Sequence, residues 1–322
     1  MSHLPFKSHF NPATKPLDCL HMDLIGPISP PSNSGNRYIL TIINQHTSFK
    51  VTCFLKNKSD TYKEFVKQQK LIENIHDRKI KQLVTDGGGE FVNQKFKDLA
   101  NQHGFNHTIA PLYTPEHNGI AGRANRTILD KARCLILTFS LPNQYWVEAI
   151  KTATFLANIL PTPSKKSLSP YFLWTTQLPK IKSIRTFGCK VVFLIPKKKR
   201  SWKLGPVGEE GVLLGFNNDS SYQILKLSNR KLYCSRHVVF FENEFPMLND
   251  SKESDVPLLI NSWHNSEEEE FFDCQEEICE EETHNEEILI SSEDNSSKDN
   301  SEHSSLESCL PPSARCIKII GP

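Results

Sequence analysis

The sequence predicts a mixed α/β domain, followed by a small all-β barrel and an acidic tail that does not fold. Three features of the sequence predict this order. Strand-like segments rich in Ile, Val, Phe and Thr open the chain and then alternate with amphipathic helices. Short strands separated by turns return after residue 185, and Glu, Ser, Asn and Asp dominate after residue 248.

The first domain is predicted over residues 17–160, after an aperiodic linker of residues 1–16. Its first three strands are expected at residues 17–24, 38–44 and 49–55. The short, turn-forming connections between these strands favour an antiparallel meander. A helix that begins at a cap on Ser59 and runs to about residue 77 has the apolar spacing needed to cover one face of the sheet.

Two further strands alternate with helices, which indicates parallel additions to the same sheet. The first of these strands ends at Asp86, immediately before three glycines. The expected bounds are 80–85 and 105–110 for the strands, and 93–103, about 120–139 and 142–160 for the helices. The resulting order, βββαβαβαα, is that of a mixed α/β domain.

Three segments are expected after this domain. Residues 161–184 contain four prolines and little periodicity, which is typical of a spacer on the surface. Residues 185–248 hold short strands with turns between them and predict a small barrel. Residues 249–322 have too few apolar side chains to bury a core, so we expect a disordered acidic linker.

The net charge of +1 hides a strong separation of charge along the chain. Residues 249–322 contain 20 acidic and 4 basic side chains, a net charge of −16, whereas residues 1–248 contain 34 basic and 17 acidic side chains, a net charge of +17. A strongly basic segment of this size is suited to bind nucleic acid.

Simple sequence features exclude a membrane protein and favour a reducing environment inside the cell. No run of apolar residues approaches the ~18 that a membrane-spanning helix needs, and the N-terminus has no apolar signal-peptide core. The nine cysteines form no CxxC pair. We therefore expect an intracellular protein.

Two aspartates occupy positions where cation chemistry is expected. Asp23 lies inside the first strand, where Asp is disfavoured, and Asp86 ends the fourth strand. Carboxylates at neighbouring strand ends can share Mg²⁺ or Mn²⁺. For two isolated aspartates, however, turn and capping roles remain the alternative.

Six ordered segments of the sequence closely resemble the integrase of copia-type long-terminal-repeat retrotransposon polyproteins. They are HMDLIGPI, TDGGGEF, TPEHNGIAGRANRTILDKAR, YWVEAIKTATFLANILPT, FGCKVVF and SRHVVFFENEFP, and they cover about residues 17–246. The resemblance implies an RNase H-like core with a mixed five-stranded sheet, followed by an SH3-like barrel. It also implies DNA integration that depends on Mg²⁺ or Mn²⁺, a homo-oligomer on DNA ends, and a tail that leads towards a reverse transcriptase.

The family's metal-binding triad is Asp, Asp and Glu, with thirty-five residues between the last two. Asp23 and Asp86 match the aspartates, but the glutamate position is occupied by Gly122. Glycine offers no ligand, so we expect weak metal binding and little or no strand transfer. Glu90 and Glu116 are conceivable replacements, although neither stands at the family's ligand position.

Basic and polar residues around position 122 are candidates for contact with DNA. By resemblance, Asn118 and Gly119 belong to the loop before the helix that meets the DNA end. The structure is expected to show a positive stripe beside the metal site, formed by Arg123, Arg126 and Lys131. Such a stripe would contact DNA, because phosphate neutralisation dominates nucleic-acid affinity. The alternatives are an ordinary solvated helix face and RNA as the nucleic acid.

A second basic cluster lies between two barrel strands. It consists of Lys197, Lys198, Lys199 and Arg200. This cluster is a candidate nuclear-localisation signal, which would suit an integrase that acts in the nucleus. The alternatives are a phosphate-binding hairpin and a solvated turn.

The sequence therefore predicts a retrotransposon integrase segment whose reaction joins cDNA 3′-hydroxyl ends to target DNA. The substitution at Gly122 predicts that this activity is impaired. The alternative is a non-catalytic nucleic-acid-binding remnant, or a DNA-binding protein retained for binding alone.

Overall fold

The computed structural model describes residues 13–110, 118–162, 165, 167–195, 200, 202, 204–218 and 221–249. The first sheet consists of β1 (Leu20–Ile25), β2 (Tyr38–Asn44), β3 (Lys50–Leu55), β4 (Gln82–Thr85) and β5 (Asn106–Ile109). The four long helices are α1 (Thr61–His76), α2 (Gln94–His103), α3 (Gly119–Thr138) and α4 (Trp146–Ile159). The predicted order βββαβαβαα is confirmed.

The first sheet is mixed, with the strand order β3-β2-β1-β4-β5. Strands β1, β2 and β3 form the predicted antiparallel meander. Strands β4 and β5 are added in parallel on the other side of β1. This arrangement, with helices packed on the sheet, is the RNase H-like fold that the resemblance implies.

The two faces of this sheet carry different residues because side chains alternate along a strand. Leu20 and Met22 of β1 are buried in a core with Phe65 of α1 and Phe96 of α2. On the opposite face, Ile43 of β2 packs against the small side chains of α3. The alternation turns Asp23 towards α3, so the candidate site lies between β1 and this helix.

The start of α1 differs from the prediction. Ser59 is not the cap; it lies inside a 3₁₀ turn, Lys58–Asp60, that precedes the helix. The Asp60 carboxylate accepts the backbone N–H of Asn57 at 3.1 Å. A carboxylate three residues after Asn57 closes this turn more effectively than a hydroxyl in its middle, which is why the chain begins its helical path earlier than expected.

The region expected to be a surface spacer contains a helix with a buried anchor. Helix α5 (Pro170–Thr175) starts at Ser169, whose hydroxyl accepts the N–H of Phe172. Trp174 is 6% exposed and stacks on Phe49 at 4.9 Å between ring centroids. A Ser-Pro pair before an aromatic residue is a helix-start signal, so this helix could have been predicted.

The second sheet is antiparallel and five-stranded, and it confirms the SH3-like unit that the resemblance implies. Its strands are β6 (Lys190–Leu194), β7 (Gly208–Asn218), β8 (Ser221–Lys226), β9 (Leu232–Ser235) and β10 (Val238–Phe241), in the order β10-β6-β7-β8-β9. A short helix, α6 (Pro246–Asn249), follows the last strand. The rest of the predicted acidic linker, residues 250–322, lies outside the described residues, as do residues 1–12.

The second sheet packs against α4 of the first domain. Phe216 stacks on Phe155 with 5.0 Å between ring centroids. The Thr152 hydroxyl donates to the carbonyl oxygen of Leu214 at 3.1 Å. These contacts from successive turns of α4 bury aromatic area and satisfy a strand carbonyl at the same interface.

Gly188 makes a close approach between the two domains possible. Its φ of +80° lies in the left-handed region, and an added Cβ would stand 2.5 Å from the ring of Phe139, just after α3. Both the backbone conformation and the space around this residue therefore require glycine.

We expect Gly188→Ala to destabilise the protein more than Gly104→Ala. Gly104 ends α2 at φ +71°, but an added Cβ there meets no atom within 4 Å. Gly104→Ala should therefore cost only the left-handed strain, about 1 kcal/mol. Gly188→Ala adds the clash with Phe139, a further ~1–3 kcal/mol. Chemical denaturation of both variants measures the difference, and equal losses would show that the contact with Phe139 is loose.

Candidate active site

Asp23 and Asp86 are brought to the same level of the sheet by the pairing of β1 with β4. The parallel register places Leu20 opposite Leu83 and His21 opposite Val84. Continued by two residues, this register sets Asp23 level with Asp86, which directly follows β4. Neighbouring strands lie about 4.8 Å apart. The structure thus places the two aspartates at one edge of the sheet, and their role as metal ligands stays a prediction.

The carboxylate of Asp23 is partly buried and held by two donors. Its Oδ1 accepts the N–H of Leu24 at 2.9 Å, and its Oδ2 accepts the side-chain amide of Asn125 on α3 at 2.7 Å. Burial, together with the negative charges of Asp86 and Glu90, raises the pKa of Asp23 to about 6, and the two hydrogen bonds oppose that rise.

Asp86 is held more loosely. Its Oδ1 accepts the N–H of Gly88 at 3.2 Å. Burial raises the pKa of Asp86, and the charge of Glu90 adds to the rise while the Gly88 N–H opposes it. The Glu90 carboxyl group lies about 3 Å from the place that a Cβ on Gly88 would occupy. Glu90 therefore adds a third negative charge to this edge of the sheet.

Position 122 faces the same edge from α3. Gly122 lies one turn from both Asn118 and Asn125, and these two residues contact Met22 and Asp23 of β1. Residues spaced by three and four along a helix share a face. Gly122 is exposed, and an added Cβ would meet no atom within 4 Å. The first carbon of a side chain at position 122 would therefore fit without displacing a neighbour.

The carboxylates do not complete a metal site by themselves. Among the described residues, no three His, Cys, Asp or Glu side chains converge in an arrangement that could hold a metal ion. Asp23 and Asp86 provide oxygen donors suited to Mg²⁺, and their shared negative charge favours a cation. These two carboxylates therefore fit a divalent cation, but they supply only part of the ligands that it needs. Glu116, the other conceivable replacement, lies outside the described residues.

The three basic residues of α3 do not form one stripe. Arg126 is exposed one turn beyond Gly122. The charge of Arg123 helps to lower the pKa of His21, for which burial is the larger cause, so Arg123 lies on the β1 side. Lys131 is nine residues from position 122, which at 3.6 residues per turn is the opposite side of the helix.

Lys131 instead lies near the start of β3. The pKa of Lys50 is lowered to about 8, mainly by burial and to a smaller extent by the charge of Lys131. Of the barrel cluster, Lys197, Lys198 and Lys199 lie outside the described residues. Arg200 donates through Nε to the carbonyl oxygen of Ile195 at 3.1 Å.

Three residues at the site were missed by the sequence analysis: His21, Thr41 and Asn125. The buried His21 ring contacts the Asn118 side chain at 3.3 Å and so ties β1 to the start of α3. The Thr41 hydroxyl contacts the Asn125 side chain at 2.6 Å. An available signal was Asn125 itself, because asparagine is unfavourable inside a helix unless its side chain is bonded.

Sequence models of two protein families match the chain. The model described as "Integrase core domain" matches residues 13–115. The model described as "Retroviral polymerase SH3-like domain" matches residues 189–254. The first match ends before α3, so it does not include position 122.

Curated relatives are similar along most of the described chain. The Retrovirus-related Pol polyprotein from transposon TNT 1-94 of Nicotiana tabacum is 32% identical over 238 residues, 74% of this chain and 18% of the relative. The corresponding polyprotein from transposon RE1 of Arabidopsis thaliana is 34% identical over 249 residues, 76% of this chain and 17% of the relative. The chain thus spans less than a fifth of these relatives.

Solved structures give more distant matches. One is the simian T-cell lymphotropic virus intasome in complex with PP2A regulatory subunit B56 gamma, with a TM-score of 0.45, 14% identity, and coverage of 74% of this chain and 84% of that chain. Another is the HTLV-2 integrase catalytic core domain in complex with magnesium, with a TM-score of 0.39, 17% identity, and coverage of 50% and 97%. In the part of the chain that the structure describes, no helix has the length and apolar character needed to cross a membrane.

We expect Asp23→Asn to stabilise the cation-free protein at neutral pH. The pKa of Asp23 is raised by folding, so its contribution to stability is fully present below the unfolded value of about 4 and is lost as the pH rises through about 6. Asparagine at position 23 cannot ionise, so the variant does not lose stability in this way as the pH rises. The gain in free energy of unfolding should be near zero at pH 4 and about 1–3 kcal/mol at pH 7.

Urea denaturation in the presence of a chelator, at intervals between pH 4 and 7, measures this difference. Some pH dependence should remain in the variant because the pKa of Asp86 is also raised. A parallel offset between the two proteins at every pH would contradict the raised pKa of Asp23.

Proposed function

We propose that the chain is an integrase segment that binds DNA and a divalent cation but has lost most of its strand-transfer activity. The proposal rests on its integrase core domain, its retroviral SH3-like domain and its homology to the Pol polyproteins of copia-type retrotransposons. The ancestral reaction is attack of a cDNA 3′-hydroxyl oxygen on a target phosphorus. A new P–O bond forms as the target P–O bond breaks; the attacking hydroxyl gives up its proton to solvent, and the leaving 3′-oxygen takes up a proton from solvent.

Asp23 and Asp86 are the residues that would hold Mg²⁺ or Mn²⁺ in this chain. When bound, the cation supplies positive charge to the attacking and leaving oxygens. The protein's own part is to fix the two carboxylates. Leu24 and Asn125 hold Asp23, and Gly88 holds Asp86.

The observation that carries the proposal is the geometry of Gly122. The residue lies on the α3 face that contacts β1, it is exposed, and the space beside it is open. The family places its third carboxylate at this position. This chain keeps the scaffold that would present a glutamate but has no side chain there, so the cation lacks one of its ligands.

The DNA surface proposed for this chain centres on the β1 side of α3. Arg123 lies on that side, and Arg126 is exposed one turn beyond Gly122, within a segment of net charge +17. Lys131 points to the other flank and would contact a different part of the nucleic acid. RNA is an alternative ligand, since phosphate contacts alone do not distinguish it from DNA. We further propose action in the nucleus as a homo-oligomer on DNA ends.

A second function is favoured by the same residue. Without the third carboxylate, the protein can still bind nucleic acid through its basic face and act as a non-catalytic binding module. The two functions differ in one respect: residual cation-dependent joining supports the impaired enzyme, whereas salt-sensitive binding without any joining supports the module.

We expect Gly122→Glu to increase strand transfer with Mn²⁺ by at least ten-fold over the unmodified chain, since removing or restoring a group that stabilises charge in the transition state changes rates by about 10²–10³. Gly122→Gln is the matched control, because it has the same shape and no negative charge. Joining of labelled cDNA-end oligonucleotides to plasmid DNA provides the measurement.

Strong joining by the unmodified chain, equal to that of Gly122→Glu, would overturn the impaired-enzyme proposal. Joining by neither protein, combined with salt-dependent DNA binding by both, would favour the binding module. An equal gain in strand transfer from glutamine and glutamate would show that glycine had weakened helix α3, and that the missing carboxylate was not the cause of the low activity.

Charge reversal of Arg123 and Arg126 should weaken DNA binding and reduce its salt dependence. Loss of two phosphate contacts makes the slope of log K against log salt shallower by about 2. Lys70→Glu with Lys97→Glu is the matched control, because it changes the net charge equally on exposed positions of α1 and α2, across the sheet from α3. Fluorescence anisotropy at several salt concentrations measures the slope. Equal effects of the two pairs would show that net charge, rather than this face, binds DNA.

A further inference from the structure

Asn125 is a buried polar residue in the middle of α3, and both ends of its side chain are bonded. It is 5% exposed. Its Nδ2 donates to Asp23 Oδ2 at 2.7 Å, and its Oδ1 accepts the Thr41 hydroxyl at 2.6 Å. Asparagine costs stability inside a helix unless such bonds offset the cost. The residue therefore has a specific task at this position.

The orientation of the Asn125 amide follows from its partners. An ionised carboxylate can only accept hydrogen bonds, so the NH₂ end must face Asp23. The amide oxygen then faces the Thr41 hydroxyl, which can donate to it. Thr41 is fully buried on β2 and lies directly opposite Asp23 in the strand register. The hydroxyl thus keeps the amide from rotating away from the carboxylate.

We propose that Asn125 is a positioning residue that holds the Asp23 carboxylate in the orientation in which it binds the divalent cation, with Thr41 fixing the amide. The inference rests on the cation site of the proposed function. With Leu24 on Oδ1 and Asn125 on Oδ2, each oxygen has one acceptor site occupied, and rotation of the carboxylate would break both bonds. The remaining lone pairs are left for the cation.

The neighbouring helix offers a matched comparison. Asn158 of α4 is also buried, at 7% exposure, and also makes two hydrogen bonds to a strand. Its Oδ1 accepts the N–H of Lys50 at 2.9 Å, and its Nδ2 donates to the carbonyl oxygen of the same residue at 2.8 Å. Asn158 therefore has the same burial and number of bonds, but it holds backbone groups of β3 rather than a carboxylate.

The experiment measures Mn²⁺ affinity of the full chain by isothermal titration, in the unmodified protein and in the Gly122→Glu background. Asn125→Ala should weaken Mn²⁺ binding by at least about ten-fold, as expected when a partner that orients a metal ligand is removed. Asn158→Ala should leave the affinity unchanged while lowering the melting temperature by a similar amount. A purely structural role for Asn125 would give the two variants the same affinity.

A second pair of variants tests the same idea without touching Asn125. Thr41→Val keeps the shape of the side chain but removes the hydroxyl, and it should weaken Mn²⁺ binding. Thr41→Ser keeps the hydroxyl and should retain the affinity. This pair decides the matter if Asn125→Ala does not fold.

The outcomes separate the inference from the proposed function. The positioning role would be overturned, and the cation site left standing, if Asn125→Ala and Thr41→Val both kept the Mn²⁺ affinity of the unmodified chain. If Asn125→Ala does not fold, an unchanged affinity in Thr41→Val alone would have the same meaning. Absence of Mn²⁺ binding in both the unmodified chain and the Gly122→Glu protein would overturn the cation site, and the positioning role with it.

Discussion

The partly buried carboxylate of Asp23 is the constraint around which the first domain is arranged. A charge between a sheet and a helix is costly unless donors surround it. Here the donors are the N–H of Leu24 and the amide of Asn125, and the amide is in turn held by Thr41. These bonds connect β1, β2 and α3, so the same groups that compensate the charge also fix the helix on the sheet. The position of Gly122 relative to the aspartates follows from that attachment.

This arrangement does not depend on a side chain at position 122, where we propose that the third carboxylate is missing. A glutamate at an exposed helical position contributes little to packing, and the open space beside Gly122 shows that its neighbours do not depend on a side chain there. Under the proposed function, fold and catalysis are separable in this chain, because buried groups hold the helix on the sheet and the proposed third carboxylate position is exposed.

The SH3-like sheet is attached to the first domain through α4, the helix beside α3. A stacked aromatic pair, Phe155 with Phe216, provides apolar contact. The buried Glu148 accepts the amide of Gln223 at 3.3 Å, and burial raises the pKa of this carboxyl. Polar groups at such an interface favour one arrangement, because a shifted sheet would leave them unsatisfied. In the described part of the chain, α4 therefore links the SH3-like sheet to the helix that carries position 122.

The sequence by itself determined the order of the helices and strands and the presence of a second, all-β unit, because apolar periodicity is local along the chain. The roles of Asp23, Asp86 and position 122 in a cation site stay predictions. The sequence did not reveal helix α5 or the roles of Thr41 and Asn125. These depend on which side chains meet after folding, across separations of 84 and 102 residues in the bonds that Asn125 makes. Only the tertiary structure showed that Lys131 lies near Lys50 at the start of β3, because that neighbour comes from a strand 81 residues earlier in the chain.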